Sequence, residues 1–208
     1  EPGHYVEPVF TPDGRQVVYR KTGGGYLVSP LWSRDPGIYR IPLTGGAPAL
    51  ITKKGSRPQF GAAADRVYLF SEDSQKDTDR RTLWSIGLDG TEERTHFTSE
   101  WATEFAISPD EKWIAFTERF NAHVAPFERT GREVPIGPKS KALPVARVSR
   151  DAGENLQFSG DSRRLVWSLG PELFSRALED SFSFLAGAPE KLPEPEPSGR
   201  NISFRAKT

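Results

Sequence analysis

The chain has 208 residues with 28 basic and 28 acidic side chains, so its formal net charge is zero. This balance gives no electrostatic reason to expect nucleic acid or an anionic membrane as a partner, and no apolar run approaches the roughly 18 residues of a membrane-spanning helix. The absence of Cys excludes disulfides and thiolate metal ligands. The 19 Gly and 18 Pro fall between apolar runs, which is typical of an all-β chain with many turns.

An internal repeat of about fifty residues is the most informative feature of the sequence. Each copy has an apolar lead residue, a polar turn and a run rich in β-branched and aromatic residues. The lead residues are Phe10, Phe60, Ile107 and Phe158. Second runs follow at Ile38 to Leu43, Leu83 to Leu88, His123 to Phe127 and Leu173 to Leu178, and a short last run is clearest at Ala49 to Thr52.

Four short strands in each copy of this length predict the blades of a β-propeller. We therefore expect an all-β fold of four-stranded antiparallel blades, with about four blades present and the propeller incomplete. A β-sandwich with coincidental spacing is the alternative, but sandwiches do not require units of near-constant length. The predicted units are 1–56, 57–103, 104–154 with a long link to the next blade, and 155–200; residues 201–208 either start a further unit or close a blade.

An incomplete stack of blades would expose two sheet faces. Apolar side chains of the second strands are expected to lie between blades, and they are Val17, Tyr19, Trp113, Ile114, Phe116 and Trp167. Uncovered faces of this kind are unusual for a monomer and invite aggregation. The expected partner is therefore the rest of the same polypeptide, or another subunit, covering the open ends.

Several motifs resemble the TolB-like, WD-related propeller repeats of bacteria. They are Thr11-Pro12-Asp13-Gly14-Arg15, Ser108-Pro109-Asp110, and Ile38 to Ile41 followed by Gly45-Gly46. The segments 138–144, 148–155 and 168–174, and the ending 189–193 with 201–204, are similar to large bacterial proteins in which such a propeller precedes an amidohydrolase domain. The resemblance implies an accessory propeller of a metal-dependent hydrolase that uses a divalent metal such as zinc.

The same resemblance leaves a second function open, that of a stand-alone TolB-like scaffold that binds a protein partner. It implies a periplasmic or secreted protein, although the composition fits the cytosol equally. Prolyl oligopeptidase-like peptidases and tricorn-like proteases also carry related propellers. The His-x-His metal motif of amidohydrolases is missing, because His4, His96 and His123 are each isolated. We therefore expect no catalytic residue, metal ligand or cofactor in this chain.

The predicted loops between second and third strands, and between blades, share one side of each blade, and long loops on a rigid scaffold commonly carry binding sites. The long segments are Lys21 to Gly37, Ser71 to Arg81 and Arg132 to Asn155. The candidate binding residues in them are Arg147, Arg150, Asp151, Glu154, Trp32 and Tyr26. A local salt-bridge network for the charged four, and local packing for the two aromatics, are the alternatives.

One aspartate recurs at the same repeat position, as Asp13, Asp110 and Asp161. A ring of carboxylates is one interpretation. The favoured interpretation is that each Asp forms a turn by accepting hydrogen bonds from its own backbone.

Overall fold

The computed structural model describes residues 3–23, 34–75, 78–195 and 199–201. Tyr26 and Trp32, two of the candidate binding residues, lie outside the described residues. The chain divides into two compact units, Glu1–Thr98 with Gly131–Glu133, and Ser99–Thr130 with Val134–Thr208.

The first unit contains two blades. Blade 1 consists of β1 (His4–Phe10), β2 (Gln16–Thr22), β3 (Gly37–Pro42) and β4 (Ala49–Thr52), which lie side by side in chain order. Blade 2 has β5 (Ser56–Gln59), β6 (Arg66–Gln75), β7 (Thr78–Gly87) and β8 (Arg94–Ser99) in the same arrangement.

The second unit contains the other two blades. Blade 3 has β9 (Ala102–Ile107), β10 (Trp113–Glu118), β11 (Asn121–Pro126) and β13 (Ala146–Arg147). The short strand β12 (Val134–Pro135) lies between β11 and β13 in the chain but does not belong to this sheet. Blade 4 has β14 (Glu154–Phe158), β15 (Arg164–Leu169), β16 (Glu172–Ala177) and β17 (Arg200–Asn201).

The prediction of an all-β fold built from four small antiparallel sheets is confirmed, and each lead residue lies at or next to the end of the first strand of its blade. One 3-10 turn, Leu178–Asp180, is the only helical element within the described residues. None of the helical structure in this part of the chain is long and apolar enough to cross a membrane.

Each unit has its own apolar core. In the first unit, blades 1 and 2 contribute buried side chains to one cluster, which contains Val18, Ile38, Ile51, Val67, Leu69, Trp84, Ile86 and Leu88. In the second unit, blades 3 and 4 share a larger cluster that includes Trp113, Val124, Leu165, Trp167 and Phe182. Alternation along the strand decides which side chains belong to these clusters, since neighbouring residues point to opposite faces of a sheet.

That alternation divides the side chains predicted to lie between blades. Trp113 and Trp167 belong to the shared core of blades 3 and 4, whereas Ile114 and Phe116 are buried without belonging to that cluster. In blade 1, Val18 enters the shared core, while its neighbours Val17 and Tyr19 are half-buried. Tyr19 instead stacks on Tyr39 at a ring-centroid distance of 5.9 Å.

Two predicted loops contain strands. The segment Ser71 to Arg81 is mostly the extended hairpin of β6 and β7, in which Glu72 lies opposite Arg81 and their charged groups are 2.7 Å apart. Cross-strand charge pairs stabilise a solvated hairpin. Because such strands lack the alternation of apolar residues, the sequence analysis assigned this segment to a loop. Within the predicted link Arg132 to Asn155, β13 pairs with β11, so only about 148–153 joins blade 3 to blade 4.

The repeated aspartates form turns. In blade 3, the Ser108 hydroxyl donates to Asp110 Oδ1 over 2.6 Å and accepts from the Trp113 N–H over 2.9 Å, while the Lys112 N–H donates to Asp110 Oδ1 over 3.1 Å. The equivalent bonds recur around Thr11 and Asp13 in blade 1, and around Ser159 and Asp161 in blade 4. These hydrogen bonds lower the pKa of Asp13 and Asp161. Blade 2 has Gly61 where the others have Thr or Ser, so it lacks the hydroxyl.

A glutamate fastens the first strand of one blade to the next blade in each unit. Glu7 Oε2 accepts from the Arg57 N–H over 2.6 Å, and Glu104 Oε1 accepts from the Leu156 N–H over 3.0 Å. The position three residues before the lead residue has a left-handed backbone in three blades, with φ of 56° at Glu7, 50° at Arg57 and 56° at Asn155. In each of these blades the strand register shifts at this position. Such bulges leave backbone N–H groups without a partner in their own sheet. The carboxylates of Glu7 and Glu104 accept hydrogen bonds from N–H groups in the bulged segments of blades 2 and 4.

We expect Ser108→Ala to destabilise the chain by about 2 kcal/mol, because Ser108 is fully buried and the change leaves the Trp113 N–H without its side-chain acceptor. Ser159→Ala is the matched control: it removes the same hydrogen bonds at a half-buried site, where water can replace them, so the loss should be about 1 kcal/mol or less. Urea unfolding of both variants measures the difference, and equal losses would contradict the role of burial.

Candidate binding surface on the second unit

Three of the four predicted charged residues form one local network. Arg147 lies in β13 opposite His123, and its Nε donates to the Ser149 carbonyl over 2.8 Å. Its Nη2 donates to the Arg150 carbonyl. Arg150 pairs with Asp151 at 3.1 Å on the exposed surface. The guanidinium of Arg147 therefore holds the 149–150 turn, and the exposed pair adds at most about 1 kcal/mol of stability.

Glu154 is separate from that network. It begins β14, where its carbonyl accepts from the Ser168 hydroxyl over 3.3 Å. Among the described residues, no ion pair joins its carboxylate to Arg147 or Arg150. All four predicted charged residues are exposed, but Arg147 is engaged by the 149–150 turn and Glu154 stands apart from the Arg150–Asp151 pair.

The link between blades 3 and 4 runs beside a turn that sequence reasoning missed. Glu118 pairs with Asn121, so Arg119 and Phe120 form the two-residue turn between β10 and β11. The Phe120 carbonyl accepts from the Gly153 N–H over 2.8 Å, and the Thr117 hydroxyl donates to the Gly153 carbonyl over 3.0 Å. These bonds bring the turn and the 149–153 link into one surface of the second unit.

Both turn residues have left-handed backbones, with φ of 48° at Arg119 and 75° at Phe120. Positive φ at both positions is what a two-residue hairpin of type I′ requires, and Asn-Gly is the usual choice. A bulky residue there is strained. The Phe120 side chain gains little burial in return, since the residue is 79% exposed. Strained backbone residues cluster at functional sites in proteins, so this turn is a candidate site.

A second exposed aromatic lies close to this turn. Trp101 is 50% exposed, and the Arg119 guanidinium stands over its ring at 5.5 Å from the centroid, within the range of a cation–π interaction. Trp, Arg and exposed aromatic residues are enriched at the energetic centres of protein interfaces. We call Trp101, Arg119, Phe120, Arg150 and Asp151 the hairpin surface.

On the two strands joined by this turn, two buried ionisable groups, Glu118 and His123, have shifted pKa values. Burial raises the pKa of Glu118, against the opposing effect of the Ser99 hydroxyl, which donates to its carboxylate over 3.3 Å. Burial lowers the pKa of His123 to about 4, and its Nδ1 is buried without a hydrogen-bond partner in the described part of the chain. His123 stacks on Phe116 at 5.1 Å, so the neutral ring acts as a core aromatic.

A hydrogen-bonded serine and histidine occur in the first unit, outside any sequence motif. Ser85 Oγ and His96 Nε2 are 2.7 Å apart, and Arg66 Nη1 donates to the same hydroxyl over 3.1 Å. A catalytic serine that is activated by a histidine makes the same kind of hydrogen bond. Ser85, however, is fully buried, so no substrate atom can reach it. The pair therefore satisfies buried polar groups. Within the described ranges, no group of three or more His, Cys, Asp or Glu side chains could hold a metal ion.

Comparison with known proteins supports the fold. No family model matches the sequence, and no curated protein matches it. Among solved structures, TolB from Acinetobacter baumannii is similar, with a TM-score of 0.58, 15% identity, and coverage of 86% of this chain and 42% of that one. This chain thus spans less than half of that protein's length.

Two further structures are similar at comparable levels. The β-propeller domain of the Trilobed protease from Pyrococcus furiosus has a TM-score of 0.52 and 11% identity, over 85% of this chain and 70% of that chain. An oligogalacturonate lyase in complex with manganese has a TM-score of 0.57 and 16% identity, over 88% and 53%. At these identities the likeness establishes a TolB-like β-propeller fold.

We expect the buried His123 to make the chain sensitive to acid. Its pKa is near 4 in the folded chain and near 6.5 when unfolded, so between these values the unfolded state binds more protons and stability rises with pH. The contribution is complete above about pH 6.5 and lost towards pH 4, a change of about 3 kcal/mol. Urea unfolding across this range should show a flatter pH dependence for His123→Phe than for the native chain. The same slope in both would mean that His123 does not carry this dependence.

Proposed function

We propose that this chain is a non-catalytic propeller segment of a larger protein, which binds and positions another domain. The observation that carries the proposal is the hairpin surface, where a strained and almost fully exposed Phe120 stands beside the Arg119–Trp101 pair. The strain at Phe120, whose ring gains little burial inside its own unit, is accounted for when that ring inserts into a partner. Burying that ring on association would contribute roughly 2 kcal/mol.

The partner we propose is the catalytic domain of an amidohydrolase-type, metal-dependent hydrolase in the same polypeptide. The resemblance in 138–144, 148–155 and 168–174 supports this choice, and the similar propeller of the Trilobed protease is by its description a domain of a protease. A divalent metal such as zinc would then belong to the partner domain. The remaining open faces, including the half-buried Tyr19 and Tyr39 of blade 1, would be covered by further blades of that polypeptide.

The second candidate is a stand-alone, periplasmic TolB-like scaffold whose hairpin surface binds a separate protein. The similarity to the TolB structure favours it. The two candidates differ in what the gene encodes beyond Thr208. A His-x-His motif within a following barrel pattern supports the hydrolase, whereas a stop codon within one or two blades supports the scaffold. In both cases the purified chain should hydrolyse nothing, and metal-dependent amidase turnover by it would contradict the proposal.

The hairpin surface is tested with Phe120→Gly and Phe120→Ala in the full-length protein. Glycine relieves the positive φ at little cost in burial, so Phe120→Gly should raise the stability of the isolated 208-residue chain by about 1 kcal/mol, while Phe120→Ala should not. Both should weaken the contact with the partner domain, because both remove the ring. For Phe120→Gly the stability of the isolated chain should therefore rise while the contact with the partner domain weakens. A purely structural role of Phe120 would not produce this combination.

Hydrogen exchange measures the contact. Amides at 101 and 119–121 should exchange more slowly in the native full-length protein than in the isolated chain, and both Phe120 variants should remove that protection. Phe184→Ala is the matched control, since Phe184 is also exposed in the second unit but lies away from the hairpin surface in sequence and contacts Phe182. Equal exchange in the full-length protein and the isolated chain would overturn the assignment of this surface.

A further inference from the structure

One buried hydroxyl group connects the bend that carries Trp101 to the end of β10. Ser99 is the last residue of β8 and is buried. Its Oγ accepts hydrogen bonds from the Trp101 N–H over 3.2 Å and from the Ala102 N–H over 3.1 Å. The same hydroxyl donates to Glu118 Oε2 over 3.3 Å. A hydroxyl has one donor and two acceptor sites, so the bonding capacity of Ser99 is fully used.

This arrangement matches the aspartate turns except in the origin of the carboxylate. Ser108 likewise accepts from two backbone N–H groups, those of Lys112 and Trp113, and donates to a carboxylate. In that turn the carboxylate belongs to Asp110, which follows two residues later and is exposed. The carboxylate that Ser99 contacts belongs to Glu118, which follows nineteen residues later and is buried.

Burial makes the Glu118 carboxylate costly to ionise. It raises the pKa of Glu118, whereas hydrogen bonds lower the pKa of the exposed turn residues Asp13 and Asp161. A Cβ at Gly137 would lie 3.3 Å from Glu118 Oε2, so the backbone of that segment lies against the carboxylate. An aspartate within the bend would complete it without this cost. The use of a distant, buried carboxylate therefore indicates a role beyond closing the bend.

The neighbour of Glu118 in the chain shows what this role is. Arg119 begins the strained turn, and its guanidinium lies over the Trp101 ring at 5.5 Å from the centroid. The contacts therefore form a closed circuit. The Trp101 main chain is bonded to Ser99, Ser99 is bonded to Glu118, and Arg119 returns from Glu118 to the Trp101 ring. Exposed Trp and Arg side chains that are already ordered lose less conformational entropy when they bind.

We propose that Ser99 and Glu118 are the positioning residues of the hairpin surface, which hold Trp101 against Arg119 and so present both side chains to the partner domain beside Phe120. This role rests on the function proposed for that surface, and neither buried residue is expected to touch the partner. Replacing either residue should therefore weaken the contact while every side chain that makes it is still present.

The positioning is tested in the isolated chain by nuclear Overhauser effects between the Trp101 ring and the Arg119 side chain. Ser99→Ala and Glu118→Leu should lose these signals, whereas Glu118→Gln, which keeps an acceptor for the Ser99 hydroxyl, should retain them. Glu118→Leu also removes a buried charge, so it should remain folded even if Ser99→Ala does not. Ser108→Ala is the matched control, because it removes the same kinds of hydrogen bond from another buried serine. Signals retained in Glu118→Leu, or lost in Ser108→Ala as well, would overturn the positioning role.

Hydrogen exchange in the full-length protein tests the consequence for binding. In Ser99→Ala and Glu118→Leu the protection of the amides at 119–121 should fall about tenfold although Phe120 is unchanged, while Ser108→Ala should leave it as in the native protein. Protection that persists in both variants would overturn this role of Ser99 and Glu118 alone. Absence of protection in the native full-length protein would instead overturn the function proposed for the hairpin surface, and the role in binding with it, whatever the isolated chain shows.

Discussion

Burial between paired sheets is the interaction on which the rest of the structure depends. A sheet of four short strands cannot bury an apolar face by itself, so the two blades of each unit pack a face against one another. In the first unit Val18 and Ile38 of blade 1 meet Leu69 and Trp84 of blade 2 in one cluster. The glutamates that accept from the backbone of the next blade act together with this burial, since they fix where one sheet lies on the other.

The turn at the end of each first strand follows from the same constraint. A strand that enters a shared core must reverse within a few residues, and its backbone N–H groups at the reversal need acceptors. The Ser108 hydroxyl, which is buried, and the Asp110 carboxylate, which is exposed, supply them in blade 3. The recurring aspartates are therefore used in building turns, which accounts for their position in the repeat without a shared ligand.

Two blades depart from the repeat. Blade 2 replaces the turn hydroxyl with Gly61, and it has Ala64 where blade 4 has Ser162. Blade 3 places Phe120 in a turn that usually takes glycine, and the ring is exposed. Positions that follow the repeat, such as Ser108, are explained by folding alone.

The sequence by itself determined the class of fold, the number of blades and the positions of the first, second and third strands, because these depend on local alternation, turn residues and a repeat of nearly constant length. It also identified the aspartate turns, since Asp after Pro or Gly bonds to its own backbone. The tertiary structure decided the register of β13 within the predicted link, the separation of Glu154 from the Arg147 network, and the burial of His123 and Ser85. It also brought Trp101 to Arg119. These properties depend on contacts between strands far apart in the chain, and a linear pattern of residues does not specify which of two faces, or which of two neighbours, a given side chain meets.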